Sequence, residues 1–67
     1  MSLVYKLSEL VRIRFLRENP EASYSDASTF VLGYITKFID INIGKDQELQ
    51  IVLINRISKI EKELNDE

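Results

Sequence analysis

The chain has 67 residues, enough for one small domain and too few for two hydrophobic cores. It contains no cysteine and no histidine, which excludes disulfides, thiolate metal sites, His-based catalytic triads and histidine pH switches. Hydrophobic residues make up 45% of the chain, too many for a disordered protein. Because so small a core contributes little stability, we expect oligomerisation to complete the fold, with a homodimer as the predicted state.

Charge is unevenly distributed along a chain whose formal net charge is −2. The first 17 residues carry +3, because Glu9 is outnumbered by four cations, namely Lys6, Arg12, Arg14 and Arg17, and the remainder carries −5. Such a distribution favours pairing within or between copies at least as much as it favours DNA. No apolar run approaches the ~18 residues of a membrane span. The start, MSLVYKLSEL, lacks the pattern of a signal peptide, so we expect a soluble cytoplasmic protein without membrane association.

The first predicted helix covers residues 2–17. Leu3, Leu7, Leu10 and Arg14 recur at helical spacing, which outweighs the short strand-like alternation in the segment VRIRF. The helix is expected to end before Pro20, because the residue preceding a proline avoids the α conformation.

The segment NPEASYSD is typical of a turn, and the second predicted helix follows it over residues 25–40. Ser23 or Ser25 is expected to cap this helix, and Asp26 adds charge suited to its start. Two adjacent apolar faces cover more than half its circumference: Ala27, Phe30, Val31, Tyr34, Phe38 and Ile41 on one, Leu32, Ile35 and Ile39 on the other. We therefore expect helix two to lie between the other two helices. Gly33, on its polar side, is expected to permit close packing.

The third predicted helix covers residues 46–64, after a left-handed stop at Gly44 and a cap at Asp46. Its apolar residues follow a coiled-coil-like spacing, Leu49, Leu53, Ile57, Ile60 and Leu64, and the last four are candidates for a dimer interface. Ile51, Val52 and Ile54 lie off this row, and a monomer would leave some of them in water.

The distribution of polar residues argues against an enzymatic function. Apart from Asp26 and Asp40 at the ends of helix two, no carboxyl group has an apolar setting that would raise its pKa for acid–base work. The two glycines do not form a phosphate-binding loop. We predict a non-enzymatic protein without cofactor or metal.

The basic cluster in VRIRFLR is compact in sequence but divided on a helical wheel. Arg14 and Arg17 point roughly together with Lys6, whereas Arg12 projects to nearly the opposite side from Arg14. Arg14 continues a leucine stripe, so its stem is expected to pack on the core while its guanidinium reaches solvent or a carboxylate. Alternatively, Arg14 is an interface arginine that meets the acidic third helix of its own chain or of a partner. Protein pairing is favoured over nucleic acid for Arg12, Arg14 and Arg17.

The segment ENPEASYSDAS, with Leu32-Gly33 and Lys37 after it, resembles the link between helices one and two of the high-mobility-group (HMG) box. Residues that match the family pattern are Glu18, Asn19, Pro20, Ser23, Tyr24, Asp26 and Ser28, and the closing IEKEL is similar to the family's last helix. The resemblance implies a three-helix layout and, as a function, DNA binding with the helix-one arginines on phosphates.

Departures from the HMG pattern weaken its functional implication. Thr36 stands where the family has a core tryptophan, the basic N-terminal arm is missing, and helix three is apolar rather than lysine-rich. DNA bending requires cations along the minor-groove face.

The sequence therefore predicts an all-α domain of three helices that acts as a regulatory or protein-interaction module. It would self-associate through apolar helix faces and present an acidic surface to a protein target, with HMG-box-like DNA binding as the alternative.

Overall fold

The computed structural model describes residues 2–44 and 48–66. Three α-helices dominate them, α1 Leu3–Glu18, α2 Tyr24–Asn42 and α3 Leu49–Asn65, and the described residues contain no β-strand. The predicted all-α, three-helix architecture is confirmed. Helix α3 begins at Leu49, and the predicted start at residue 46 with its cap Asp46 lies outside the described residues.

Local hydrogen bonds explain where α1 and α2 begin. Ser2 caps α1 by accepting the Tyr5 N–H at 3.0 Å. Of the two serines considered for α2, Ser23 is the cap: its hydroxyl accepts the Asp26 N–H at 3.0 Å. The Asp26 carboxylate in turn accepts the Ser23 N–H at 3.1 Å, so two otherwise unpaired backbone donors are satisfied reciprocally. Beyond α2, Gly44 has φ +81°, the left-handed conformation predicted for it.

The core is a single cluster of apolar side chains from all three helices. Helix α1 contributes Leu7, Leu10 and Val11, α2 contributes Val31 and Phe38, and α3 contributes Leu53, Ile57 and Ile60. Leu7, Val11 and Ile60 are the largest side chains without solvent exposure. The apolar stripe of α1 therefore forms the middle of the fold.

The prediction that helix two lies between the others is wrong, because α1 occupies that position. Helix α1 packs against both neighbours, whereas α2 and α3 touch only weakly. Counting apolar positions around α2 could not show whether another helix covers them. The two flanking helices of this short chain meet α1, and each covers little of the other. As a result Leu32, on the second apolar face of α2, is 70% exposed.

Gly33 does not have the role expected for it. A methyl group added at this position would meet no atom within 4 Å outside the local helix, so no neighbouring helix approaches it closely. Gly33 lies on the solvent side of α2. Its lack of a side chain therefore serves no packing contact within the described chain.

Candidate interaction surfaces

Arg14 is a residue of α1 whose side chain reaches towards both α2 and α3 and contacts the acidic end of α3 in its own chain. Its Nη1 donates to Glu63 Oε2 at 2.9 Å, and its Nε lies 3.8 Å from Glu18 Oε1. The guanidinium carbon also lies 5.8 Å from the centre of the Tyr34 ring. Partial burial lowers the pKa of Arg14, but the hydrogen bonds and charges of Glu63 and Tyr34 outweigh it and raise the pKa above its ordinary value. Arg14 thus ties all three helices together.

Arg17 and Lys6 also face α3. Arg17 Nη1 donates to the Leu64 carbonyl oxygen at 3.1 Å, one of the carbonyls that the end of a helix leaves without an intrahelical partner. A cation at this position also interacts favourably with the helix dipole. Lys6 Nζ lies 3.7 Å from Glu61 Oε2. The basic start of the chain therefore pairs internally with its acidic end.

Arg12 points to the other side of α1, towards α2. It pairs with Glu9 one turn earlier, and its guanidinium lies 5.3 Å from the centre of the Tyr24 ring. Its Nε is buried and has no hydrogen-bond partner. The helical wheel predicts that Arg12 and Arg14 lie on nearly opposite sides of α1, and of these two arginines only Arg14 pairs with a carboxylate of α3.

The apolar row of α3 faces inward. Leu53, Ile57 and Ile60 belong to the core of their own chain, and Leu64 is partly buried against it. Side chains used in this way cannot contact a second copy unless the fold opens. The large apolar side chains of α3 that do reach solvent are Ile51 and Ile54, which are 52% and 49% exposed.

A mostly apolar groove runs between the outer sides of α1 and α2; we call it the α1–α2 groove. Its volume is about 400 Å³, and its lining residues are Val4, Tyr5, Ser8, Glu9, Arg12, Ser28, Val31, Leu32 and Ile35. Tyr5 is 56% exposed and Leu32 70%. Two large apolar side chains thus stand in water at the edge of an apolar groove, an arrangement typical of an interaction site.

A row of aromatic rings follows the gap between α2 and α3. The centres of the Phe15 and Phe30 rings lie 4.6 Å apart, and Tyr34 and Phe38 continue the row at separations of 6.2 and 6.4 Å. Arg56 of α3 donates to the Tyr34 hydroxyl at 2.6 Å and lies 5.0 Å from the Phe38 ring centre. Side-chain contacts of this kind connect two helices whose backbones remain apart.

Sequence reasoning missed Arg56. The signal that could have drawn attention to the gap was the spacing of Phe30, Tyr34 and Phe38, which recur every four residues along one side of α2.

Exposed acids outline a further surface around the turn between α1 and α2. Glu18, Glu21 and Asp26 are all exposed there.

Comparison of the chain with protein-family models, curated proteins and solved structures finds no match. No described helix is both long enough and apolar enough to cross a bilayer. Within residues 2–44 and 48–66, no three acidic side chains are grouped so that they could hold a metal ion. A functional interpretation therefore depends on the surfaces described above.

Proposed function

We propose that this chain is a small, non-enzymatic protein-interaction module. It associates with a second copy of itself through the α1–α2 groove and presents an acidic surface, around the turn between α1 and α2, to a protein target. The observation that carries the proposal is Leu32, which is 70% exposed although an apolar groove lies beside it. Removing such a side chain from water is favourable, by about 1.5–3 kcal/mol for complete burial.

Self-association through this groove suits a symmetric dimer. In a twofold arrangement the same patch is used by both copies, so Leu32 of each protomer can enter the groove of its partner. Tyr5 at the groove edge is 56% exposed, and aromatic side chains are enriched at protein interfaces. The dimer would cover apolar surface that a core of this size leaves exposed.

The acidic surface favours a basic protein target. Glu18, Glu21 and Asp26 are exposed around the turn between α1 and α2. Glu18 pairs with Arg14, whereas Glu21 and Asp26 have no cation within 4.0 Å among residues 2–44 and 48–66. A surface of one sign steers partners of the opposite sign and raises their association rate. The regulatory role proposed here is occupation of a basic protein surface.

Sedimentation over a wide concentration range tests self-association. We expect the chain to dimerise and Leu32→Ser to shift the equilibrium towards monomer. Ile51→Ser is the matched control, since Ile51 is 52% exposed but lies on α3, away from the groove. A monomer at every concentration, or an equal effect of both substitutions, would contradict the proposal. Circular dichroism of each variant checks that the helices remain intact.

HMG-box-like DNA binding is the second candidate, supported by the resemblance around residues 18–37. The contacts of the α1 arginines argue against it. Arg12 and Arg14 each pair with a carboxylate, and Arg17 donates to a carbonyl oxygen. Phosphates would have to compete with these partners, which makes a protein target the better-supported proposal.

A further inference from the structure

A second, smaller cleft lies between α2 and α3, and its charge differs from that of the rest of the surface. It has a volume of about 210 Å³ and is lined by Tyr34, Lys37, Phe38, Ile41, Asn42 and Arg56. Among the residues that the structure describes, the lining of this α2–α3 cleft includes two cations and no carboxylate. Three other clefts on the described surface each include at least one glutamate. An acidic protein thus has a cationic cleft.

Arg56 differs from Arg12 and Arg14 in its partners. Those two arginines are each paired with a glutamate, whereas Arg56 has no carboxylate within 4.0 Å among residues 2–44 and 48–66. It donates instead to the neutral Tyr34 hydroxyl and lies over the Phe38 ring. Lys37, on the same cleft, also has no carboxylate partner in the described residues. The positive charge of the cleft is therefore not neutralised within the described chain.

These contacts prepare Arg56 to bind an anion. Partial removal of a guanidinium from water is unfavourable unless an opposite charge compensates for it. The Tyr34 hydroxyl and the Phe38 ring restrict the side chain, so less conformational entropy is lost when a ligand binds. A guanidinium has five N–H donors in a planar fork that matches a carboxylate. Arg56 uses Nη1 to donate to Tyr34, and its other N–H groups can donate to a carboxylate.

The cleft also has an apolar part. Phe38 is buried in its floor, and Ile41, 53% exposed, borders it. Its volume of about 210 Å³ falls below that of typical small-molecule pockets, about 300–1,000 Å³, and suits a single inserted side chain. The combination matches an apolar anchor residue with a carboxylate close by.

We propose that the α2–α3 cleft binds an acidic amphipathic helix of a partner protein. One apolar side chain of that helix enters the cleft, and a carboxylate about one turn away pairs with Arg56 and Lys37. The charges of cleft and ligand are complementary, which selects an acidic partner and accelerates its association. This site shares no lining residue with the α1–α2 groove, so the test of peptide binding is independent of the test of self-association.

An NMR titration of the full chain tests the proposal with a defined probe. The probe is a capped synthetic helix that repeats leucine at helical spacing between glutamates, and the control peptide has glutamine in place of every glutamate. We expect shifts of backbone amides near Tyr34, Phe38 and Arg56 with the acidic peptide, and weaker binding at high salt. Arg56→Gln should weaken binding about five- to tenfold, as for a partly buried charge pair.

Lys59→Gln is the matched variant, because it removes the same charge from an exposed position of α3 outside the cleft. It should leave the affinity within about twofold of the original value, as for a distant surface charge. Lys37→Gln serves as a second cleft variant if circular dichroism shows that Arg56→Gln unfolds the chain. Equal affinity for both peptides, shifts confined to other surfaces or no shifts would overturn the proposal. Concentration-dependent shifts of the cleft residues without peptide would also overturn it, since a second copy would then be the occupant.

Discussion

Arg14 on α1 and Glu63 on α3, 49 positions apart in the chain, are joined by a hydrogen bond of 2.9 Å between Nη1 and Oε2. The contact explains why an arginine continues the stripe begun by Leu3, Leu7 and Leu10. Its aliphatic stem extends the apolar face, while the guanidinium meets a carboxylate at the edge of the core. The side chain of Arg14 is 25% exposed and that of Glu63 43%, so solvent screens much of the attraction.

Glu63→Gln is expected to lower the free energy of unfolding by about 0.5 kcal/mol, the magnitude typical of a partly exposed ion pair. The loss should shrink at high salt, because added ions screen the pair in the original chain. Urea denaturation at two salt concentrations measures both effects. Glu21→Gln removes an equally charged group from the exposed turn and is expected to change stability much less. A loss that is the same at both salt concentrations would show that charge pairing is not its cause.

Ser23→Ala is expected to destabilise the chain by about 1 kcal/mol, because it removes the hydroxyl that accepts the Asp26 N–H. The control is Ser25→Ala, two residues further along and inside the first turn of α2, where alanine is a good helix former and no cap is lost. Thermal unfolding followed by circular dichroism compares the two. Equal destabilisation by both substitutions would show that the capping box contributes nothing measurable.

The two glycines are predicted to respond in opposite directions to alanine. Gly33→Ala should stabilise the chain by about 0.5–1 kcal/mol, because Gly33 is inside a helix and its added methyl group meets no neighbour. Gly44→Ala should destabilise it by about 1 kcal/mol, because φ is +81° there. Chemical denaturation gives both values. If Gly33→Ala were stabilising yet weakened dimer formation, a partner would approach α2 closely at that position.

Binding of duplex DNA is predicted to be negligible at physiological salt, since Arg12 and Arg14 already have carboxylate partners. A fluorescence titration at low and at physiological salt measures the affinity and its salt slope. Tight binding that weakens steeply with salt would instead support the HMG-like alternative. In that case, replacing Arg12 and Arg17 by glutamine should reduce the slope as phosphate contacts are lost.

Periodicity was sufficient to predict the three helices. The spacing of Leu3, Leu7 and Leu10 favours a helix, Pro20 favours an end to that helix before it, and Gly44 favours the left-handed conformation. The structure has each of these features. The division of Arg12 from Arg14 could also be worked out, because helix geometry fixes the angle between positions two residues apart.

The arrangement of the helices could not be predicted in the same way. An apolar face shows that a residue such as Leu32 would favour burial, but it does not identify what covers it. Helix α2 has more apolar positions than α1, yet α1 is the helix in contact with both others. The role of Arg56 was equally hidden, since its partner Tyr34 lies 22 positions away and is reached only after the helices have packed.

The central position of α1 has a consequence for the order of events during synthesis. Helix α1 precedes both of its neighbours in the chain, so it leaves the ribosome before α2 and α3 can cover Leu7 and Val11. The hairpin with α2 can form early, since its contacts are local in sequence. The contacts with α3, such as Arg14 with Glu63, close a loop through most of the chain and must come last. The nascent chain therefore keeps part of this apolar stripe open to chaperones until α3 has emerged.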